Sequence, residues 1–475
     1  MRKSLIPVGV LLLFCAATAV AQVAVVLGVA PNSGKPGETL TTEVKGVGFP
    51  ATVSPSQVNF GAGVTATSVQ VLPSQTMVIN GETVVVNAIR VSLSIASTAT
   101  AGVRRVSVGS SGGYSAAVFI VTGSGGGTSG PADVRFQSRV YAARVDSPEG
   151  LVAVDANRDH LVDLVAAPDG DSSLSFFRSL SGGGFAPSRR IPGTVFGSAM
   201  IAAADVNGDG RVDLITGSRS AASVAVWIAT GASWRKPVQL DIPGPAWAVA
   251  AGDFNGDGSQ DIVAVVRDFN EVAMFPGNGN GTFRAPVFRP VGDTPKSVTV
   301  ADLNKDGLSD AIVGNFVASV SILMGSRSAG LSAQRRKNTL LSMENLISAD
   351  LNDDGNVDVA VIGGDSIVIL RGKGNGDFLA PPKRIRLADY VWDLAAADFN
   401  GDGIMDIAFV NFAADQVSVM TGKGNLVFES PFSFTTGDIP TRILAADFNN
   451  DGRPDIALSN YGSDSVSAYL YQTSP

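Results

Sequence analysis

One nine-residue pattern occurs seven times along this chain at nearly constant spacing. It reads Asp-x-Asn-x-Asp, then Gly in six of the copies, then two variable residues and a final Asp, as in DVNGDGRVD from Asp205. Successive copies begin 50, 48, 49, 48, 48 and 49 residues apart. A fixed period of this size indicates stacked supersecondary units, none of which buries a core alone. The chain is therefore expected to fold as an array of seven similar units.

The pattern carries the ligand chemistry of calcium. Ca²⁺ binds about six to eight oxygen atoms, from carboxylates, amides, backbone carbonyls and water. Positions 1, 3 and 5 of a tight loop turn their side-chain oxygens inward, position 7 offers its carbonyl, and position 9 adds a carboxylate. Gly at position 6 permits a sharp turn with φ > 0. The predicted ligands of about seven Ca²⁺, one per repeat, are Asp155, Asn157, Asp159, Asp163, Asp205, Asn207, Asp209, Asp213, Asp253, Asn255, Asp257, Asp261, Asp302, Asn304, Asp306, Asp310, Asp350, Asn352, Asp354, Asp358, Asp398, Asn400, Asp402, Asp406, Asp447, Asn449, Asp451 and Asp455.

The first copy has His160 where the other six have glycine. Histidine is enriched among residues in the left-handed region, so this loop is expected to close, while its metal binding is left open. The alternative for all copies is a set of solvated turns without metal. A turn needs one or two Asp, Asn or Gly residues, whereas four oxygen-bearing residues recur here in phase seven times.

Short apolar runs flank every loop, such as AVAA before Asp253 and IVAV after Asp261. They predict buried strands, not the helices that flank EF-hand or dockerin loops. After each of these strand pairs come a third strand and a Gly/Asn-rich turn. A fourth strand with the sequence Phe-x-x-Pro follows the turn, as from Phe283 to Pro286. Four antiparallel strands per repeat, arranged radially, predict an all-β fold with a seven-bladed β-propeller over residues 132–475.

These motifs, in this order, resemble the FG-GAP/VCBS repeats of the integrin α-chain propeller and of many secreted bacterial proteins. The resemblance covers most of the region from 132 to 475 and implies calcium at positions 1, 3, 5 and 9 of each loop, between the first and second strands. The last repeat lacks its own Phe-x-x-Pro strand. The segment DVRFQSRVYAA around Phe136 matches the missing strand and is expected to close the ring.

Three segments precede the predicted propeller. Residues 1–21 have a basic start, an apolar run and Ala19-Val20-Ala21, which predicts a secretory signal peptide cleaved after Ala21. Residues 22–122 alternate apolar and polar residues between turns, which predicts a small immunoglobulin-like β-sandwich. Residues 123–131 are a Gly/Ser linker. The sandwich segment resembles the IPT/TIG family at Pro31, Ser33, Gly34, Gly37, Gly46, Phe49, Phe60 and Gly61.

Charge and cysteine content narrow the function. Twenty-one of the 43 acidic residues are the aspartates at positions 1, 5 and 9 of the seven loops, so the net charge of −8 reflects calcium demand. No basic stripe supports nucleic-acid binding. The only cysteine, Cys15, lies in the leader, so the mature protein is expected to have no disulfide. We expect a secreted or cell-surface monomer with no transmembrane segment.

The function classes that remain are a binding or adhesion module for an extracellular glycan or protein and, as the alternative, a calcium-dependent polysaccharide lyase. The single histidine lies in a metal loop, which disfavours common hydrolase constellations. Loops after the second and fourth strands lie opposite the metals and form the expected ligand face. Its aromatic residues could instead only pack neighbouring blades together. The candidate ligand-face residues are Trp247, Lys296, Trp392, Asn315, Asn411 and Asn460.

Overall fold

The computed structural model describes residues 141–471, apart from 181–183, 194–197, 232 and 340, together with separate segments, mostly strands, between 25 and 136. The chain divides into two compact units, Met1–Ser124 and Gly125–Pro475. The predicted leader at 1–21 lies outside the described residues. Within the described residues, no helix has the length and apolar character needed to cross a membrane.

The first unit contains a four-stranded sheet, a three-stranded sheet and a two-stranded pair. Much of the region 22–122, including Phe49 and Phe60, lies outside the described residues, so the immunoglobulin-like sandwich stays a prediction. The strands of the three sheets, in that order, are Val25–Ala30, Thr39–Val47, Glu82–Ile95 and Val64–Ile79; Ser33–Gly34, Val118–Val121 and Gly102–Arg105; and Val58–Asn59 and Ser107–Val108.

The second unit contains seven four-stranded antiparallel sheets, which confirms the seven-bladed propeller. The first strands of neighbouring blades contact one another all the way round, so they line the centre of the ring. These first strands are Pro148–Val154, Ser198–Ala204, Ala246–Gly252, Pro295–Ala301, Asn345–Ala349, Asp393–Ala397 and Pro440–Ala446. The second strands are Asp163–Pro168, Asp213–Ser218, Asp261–Val266, Asp310–Asn315, Asp358–Gly363, Asp406–Asn411 and Asp455–Asn460.

The third strands are almost wholly buried, and the fourth strands form the more exposed outer edge of blades 1–6. The third strands are Leu174–Phe177, Ser223–Trp227, Glu271–Phe275, Ser319–Leu323, Ser366–Leu370, Gln416–Met420 and Ser465–Tyr469. The fourth strands of blades 1–6 are Arg189–Ile191, Val238–Asp241, Val287–Pro290, Arg335–Asn338, Lys383–Arg386 and Phe432–Thr435. Blade 4 departs from the repeat, because a small hairpin of Gly325–Ser326 and Gly330–Leu331 replaces the Gly/Asn-rich turn.

The fourth strand of blade 7 comes from the start of the propeller, as predicted. Strand Tyr141–Arg144 pairs antiparallel with Ser465–Tyr469 of the last repeat. Phe136 bridges Tyr471 just as Phe283 bridges Gly277 in blade 3. Its ring is fully buried and packs against aromatic rings of blades 6 and 7. The two ends of the propeller are therefore joined by hydrogen bonds and core packing.

Candidate metal loops and the opposite face

The first three predicted ligands of each loop are brought together around one backbone nitrogen. In blade 4, Asp302 Oδ1 and Asn304 Oδ1 both accept the N–H of Asp306, at 3.2 and 3.0 Å. Asp302 Oδ2 accepts the N–H of Gly307 at 2.9 Å, and Asp306 Oδ1 accepts that of Leu308 at 2.9 Å. The same four contacts occur in the other six loops. Side-chain oxygens of positions 1 and 3 therefore converge in every copy.

The first loop closes like the others. His160 has φ of 65°, in the left-handed region where the other copies place glycine, and its N–H donates to Asp155. Sequence reasoning missed that position 4 is left-handed too. A signal was present, since Gly, Asn or Asp fills that position in five of the seven copies. The position-4 residues with positive φ are Arg158, Gly208, Gly256, Lys305, Asp353, Gly401 and Asn450.

The ninth residue of the pattern is placed differently from the first three. Asp310 is fully buried, and one of its oxygens accepts the N–H of Leu303 at 2.8 Å, within the loop. Its other oxygen accepts the N–H of Gly325 at 2.7 Å, just after the third strand. All seven position-9 aspartates are fully buried and make this pair of bonds, at 2.6 to 3.2 Å. Their role as metal ligands stays a prediction.

Burial sets the ionisation of these aspartates. Desolvation raises the pKa of Asp310 to about 6, although two backbone hydrogen bonds act in the opposite direction. The nearby Asp306 and Asp302 carboxylates raise this pKa further by repulsion. The same causes raise the pKa of Asp455 to about 7. A cation in the loop would favour the charged forms.

The donors that lie together fit calcium by type. Within the described part of the chain, no group of three or more His, Cys, Asp or Glu side chains is arranged to hold a metal ion. Position 9 lies buried against backbone N–H groups, and positions 1, 5 and 3 contribute two carboxylates and one amide oxygen to each loop. These are oxygen donors, the kind that Ca²⁺ prefers, and neither sulfur nor nitrogen competes with them.

Loops 2 and 4 are also held by a hydrogen bond from the next blade. The N–H of Gly281 in blade 3 donates to the carbonyl of Val206, the second residue of loop 2, at 3.1 Å. The blade 5 residue Gly376 binds loop 4 at Leu303 in the same way, at 3.0 Å. The position-2 side chains are buried between blades. This contact gives a physical reason for the recurring Gly-Asn-Gly turn, which sequence reasoning used only as a repeat signature.

The opposite face holds two groups of side chains at the centre of the ring. In the first, named the Trp247 group, the Arg219 and Arg267 guanidinium carbons lie 4.7 and 4.0 Å from the Trp247 ring centroid. Arg219 also forms an ion pair with Glu149, whose side chain is 8% exposed. The faces of Trp247 are therefore in contact with cations from its own blade and from blade 2.

The second, named the Trp392 group, lies across blades 4 to 6. Lys296 forms an ion pair with Glu344, and its Nζ lies 4.6 Å from the Trp392 ring centroid. Tyr390 donates its hydroxyl to Glu344. Trp392 and Phe412 meet edge to face with centroids 5.2 Å apart. Burial lowers the pKa of Lys296, whereas the nearby Glu344 carboxylate raises it and only partly offsets the effect of burial.

The three asparagines predicted for the ligand face are buried and form hydrogen bonds within their own blades. Asn315 and Asn460 are fully buried, and each donates to a serine carbonyl and serine hydroxyls of the third strand in its own blade. Asn411 is 5% exposed and accepts the N–H groups of Ala413 and Ala414. They hold the turn after the second strand. The accessible rings of this face include Phe269, Phe316 and Tyr390, at 55%, 39% and 41% exposure.

Comparison with known proteins identifies the repeat. A family model described as FG-GAP-like repeat matches residues 155–216, 205–264, 253–313, 350–409 and 398–458, more than half of the chain. No curated protein matches the chain. Among solved structures, BBS1N in complex with ARL6DN, in crystals soaked with lead or with mercury, is similar at a TM-score of 0.52 and 12% identity. The match covers 71% of this chain and 97% or 98% of that one.

A lectin of Agrocybe aegerita, solved for its recognition of non-reducing terminal N-acetylglucosamine, is also similar. It is 18% identical with a TM-score of 0.45, and the match covers 67% of this chain and 86% of the lectin. At these identities the solved structures speak to fold alone, and the BBS1N match agrees with the propeller described above.

Proposed function

Since the chain belongs to the FG-GAP-like repeat family, we propose that it is a secreted calcium-binding β-propeller that serves as a binding or adhesion module for an extracellular glycan or protein. The observation that carries the calcium part is the repeated arrangement of side-chain oxygens at positions 1, 3 and 5 of all seven loops. FG-GAP repeats typically bind calcium, and this donor set fits it.

Calcium would act here on stability and not on chemistry. When bound, Ca²⁺ supplies positive charge among the carboxylates of a loop. The chain's own residues do the rest. Positions 1, 3 and 5 would hold the ion, and the buried position-9 aspartate ties the loop to the third strand, as in the pair Asp310 and Gly325. The ions would therefore stabilise the loop side of the disc and leave the other face for a partner.

The ligand would bind on the face opposite the loops, over the Trp247 and Trp392 groups. Both tryptophans are partly exposed, and Trp392 lies beside the exposed ring of Tyr390, with ring centroids 6.5 Å apart. Cations already contact their ring faces, so these tryptophans would present edges and positive charge to a ligand. Phe269, Phe316 and Tyr390 offer the more accessible ring surfaces for stacking on a sugar or for an apolar side chain.

The test is ligand capture by the mature protein on a glycan array and in a cell-surface pull-down, with calcium and with chelator. A Trp247→Ala, Trp392→Ala variant should lose roughly tenfold or more in affinity while its calcium content stays unchanged. If this variant is folded and captures the same ligands equally well, the proposed face is wrong. If it unfolds, the single variants Phe269→Ala and Phe316→Ala, which change exposed rings, take its place.

One observation favours the alternative of a calcium-dependent polysaccharide lyase. A lyase needs a base and a group that neutralises a carboxylate, and Lys296 with its lowered pKa lies beside Glu344 and Tyr390 at the centre of the ring. Incubation with acidic polysaccharides would then release chains with new unsaturated ends, detected by ultraviolet absorbance. Lys296→Met should abolish that release. Binding without any release of such ends supports the binding module instead.

A further inference from the structure

The outer edge of blades 3 to 5 is strongly basic, although the protein as a whole is acidic. The segments 284–290, 327–338 and 371–386, which form or lead into the fourth strands of these blades, contain eleven Lys or Arg residues and one Asp. The net charge of the full chain is −8. The low isoelectric point therefore hides a local basic surface, named here the blade 3–5 edge.

The fourth strands of the blade 3–5 edge are largely exposed. In the fourth strands of blades 4 and 5, the first, second and fourth residues are exposed and the third is half-buried. Arg335 and Lys383 occupy equivalent places, opposite Ile322 and Ile369 of the third strands. The cations thus recur from blade to blade in register with the repeat.

Contacts between blades hold these strands in a continuous row. Arg289 of blade 3 donates to the carbonyls of Leu331 and Ala329 in blade 4, at 2.7 and 3.2 Å. Lys337 of blade 4 forms an ion pair with Asp377 of blade 5. Long cationic side chains lose conformational entropy when they bind a ligand, and these two have already lost part of it.

The remaining cations of the edge differ in whether the protein itself engages them. Arg336 and Arg384 donate to serine hydroxyls of their third strands and lie near Asp293 and Asp365. By contrast, no ion pair with another described residue engages the exposed cations Arg335 and Lys383, and Arg386 has only a longer-range attraction to Asp365.

A groove adjoins this row. It lies between the outer strand of blade 3 and the blade 4 hairpin, and its volume is about 590 Å³. Its lining includes Arg284, Arg289 and Arg327 together with Met274 and Val287. One carboxylate, Asp257, also lines it and pairs with Arg284 at 3.2 Å, so the three arginines outnumber the acid. The hairpin that replaces the regular turn of blade 4 supplies Arg327 and one wall. Positive charge therefore lines a concave path that continues into the exposed strands.

We propose that the blade 3–5 edge binds a linear anionic polysaccharide, whose carboxylate or sulfate groups pair with the cations of successive blades. The site is separate from the face over the Trp247 and Trp392 groups, and it does not require that face to bind anything. Clusters of Lys and Arg of this kind are typical of surfaces for heparin-like or nucleic-acid polymers. The polysaccharide is the better match for two geometric reasons.

The first reason is shape. Each outer strand has four residues, a length of about 13 Å, and the strands follow one another around the convex rim of a disc. A single extended chain can follow such a rim and groove, whereas a flat bilayer would touch one blade at a time. The second reason is the scarcity of rings. Single-stranded nucleic acids are bound through stacked aromatic side chains, and the described fourth strands of blades 3 to 5 expose one, Phe288.

The experiment compares two triple variants of the mature protein on immobilised heparin and hyaluronan, in the presence of calcium. The first is Arg335→Gln, Lys383→Gln, Arg386→Gln. The matched control, Arg178→Gln, Arg235→Gln, Lys236→Gln, removes the same charge from exposed residues of blades 1 and 2. The first triple should bind about tenfold more weakly, at well under 1 kcal/mol per exposed ion pair, and the control should change by about twofold or less.

Salt and competing polymers complete the test. Binding by the unaltered protein should persist at about 0.15 M salt and decline steeply above it, because exposed charges are screened. Binding of heparin alone would assign the contact to sulfate groups, and binding of both polymers would show that carboxylates suffice. The proposal is overturned if neither polysaccharide binds, if both triples lose affinity equally, or if duplex DNA or anionic phospholipid vesicles bind more tightly. The Trp247→Ala, Trp392→Ala variant should keep polysaccharide binding, which separates this site from the proposed ligand face.

Discussion

The carboxylate of Asp310 accepts the backbone N–H of Gly325 across 2.7 Å, and this bond joins the candidate metal loop of blade 4 to a residue just after its third strand. The second oxygen of Asp310 accepts the N–H of Leu303 inside the loop. Residues 15 positions apart are thus tied through one buried side chain. The cross-link needs no ion, so the last Asp of the pattern has a structural reason to recur that is independent of metal.

Replacement of Asp310 by Ala should therefore destabilise the propeller even in chelator. Two buried N–H groups would lose their acceptor, at a cost of about 3 kcal/mol in the free energy of unfolding. Denaturant unfolding followed by tryptophan fluorescence measures this change. The matched control is Asp306→Ala, which removes an exposed carboxylate of the same loop. The control loses only hydrogen bonds that are exposed or partly buried, such as that from the Leu308 N–H, so in chelator it should lose much less stability than Asp310→Ala, and it should lose more when calcium is present. Equal losses for both variants in chelator would show that the cross-link contributes nothing of its own.

Removal of calcium should lower the thermal unfolding temperature of the mature protein markedly. An ion that binds the folded form and not the unfolded form stabilises the fold by linkage. Metal analysis of the dialysed protein should find close to one Ca²⁺ for each of its seven loops. Calcium should restore the unfolding temperature better than magnesium, which dehydrates reluctantly. Fewer than about three ions, with no shift in chelator, would contradict the calcium assignment.

The repeat predicted the propeller, its ring closure and the placement of Asp302, Asn304 and Asp306 because a short loop fixes the directions of alternate residues. The sequence could not predict the partners of Asp310, since Gly325 lies 15 residues further on, in the small hairpin that follows the third strand. Asn315 was expected at the surface but is fully buried. A turn asparagine faces inward or outward according to the neighbouring strand, which the local pattern does not encode. The contact of Arg219 with Trp247 joins two blades and leaves no local signal.

Exchange of His160 for Gly should stabilise the first blade. A residue with a side chain in the left-handed region costs roughly 1–2 kcal/mol relative to the right-handed one, and glycine avoids most of this cost. The converse change is Gly307→Ala, at φ of 82°, where an added methyl group would meet no atom within 4 Å. That variant should lose about 1 kcal/mol through backbone strain alone. The measurement is the thermal unfolding temperature of each variant relative to the unaltered protein. If both variants shift this temperature in the same direction, the argument from backbone conformation is wrong.

Deletion of residues 132–143 should open the last blade. Three of the four residues that pair with Ser465–Tyr469 would be lost, together with Phe136, and the exposed strand edge would promote aggregation. The point variant Phe136→Ala tests the packing separately and should cost about 3–5 kcal/mol, since the ring is fully buried. Deletion of residues 22–122 is the control and should leave a soluble propeller. Light scattering that rises equally for both deletions would show that the closure is not specific.

The last prediction concerns the buried ion pair of the Trp392 group. The side chains of Lys296 and Glu344 are 16% and 4% exposed. Either Lys296→Met or Glu344→Gln alone leaves a poorly solvated charge without its counter-ion, which should cost about 3 kcal/mol or more. The double variant removes both charges and keeps an acceptor for the Tyr390 hydroxyl. Its loss should therefore be much smaller than the sum of the single losses, with a coupling energy above about 1.5 kcal/mol in a double-mutant cycle.

The dependence on pH gives this cycle a readout that a change in packing would not produce. Burial lowers the pKa of Lys296 from its usual value of 10.5, and loss of Glu344 would lower it further. The folded state of Glu344→Gln then binds fewer protons than the unfolded state, so its stability should rise with pH relative to the unaltered protein. The penalty is fully present at neutral pH and should shrink as pH approaches the ordinary lysine pKa of about 10.4. A stability difference that stays constant from pH 7 to the alkaline limit would assign the loss to packing and not to the unpaired charge.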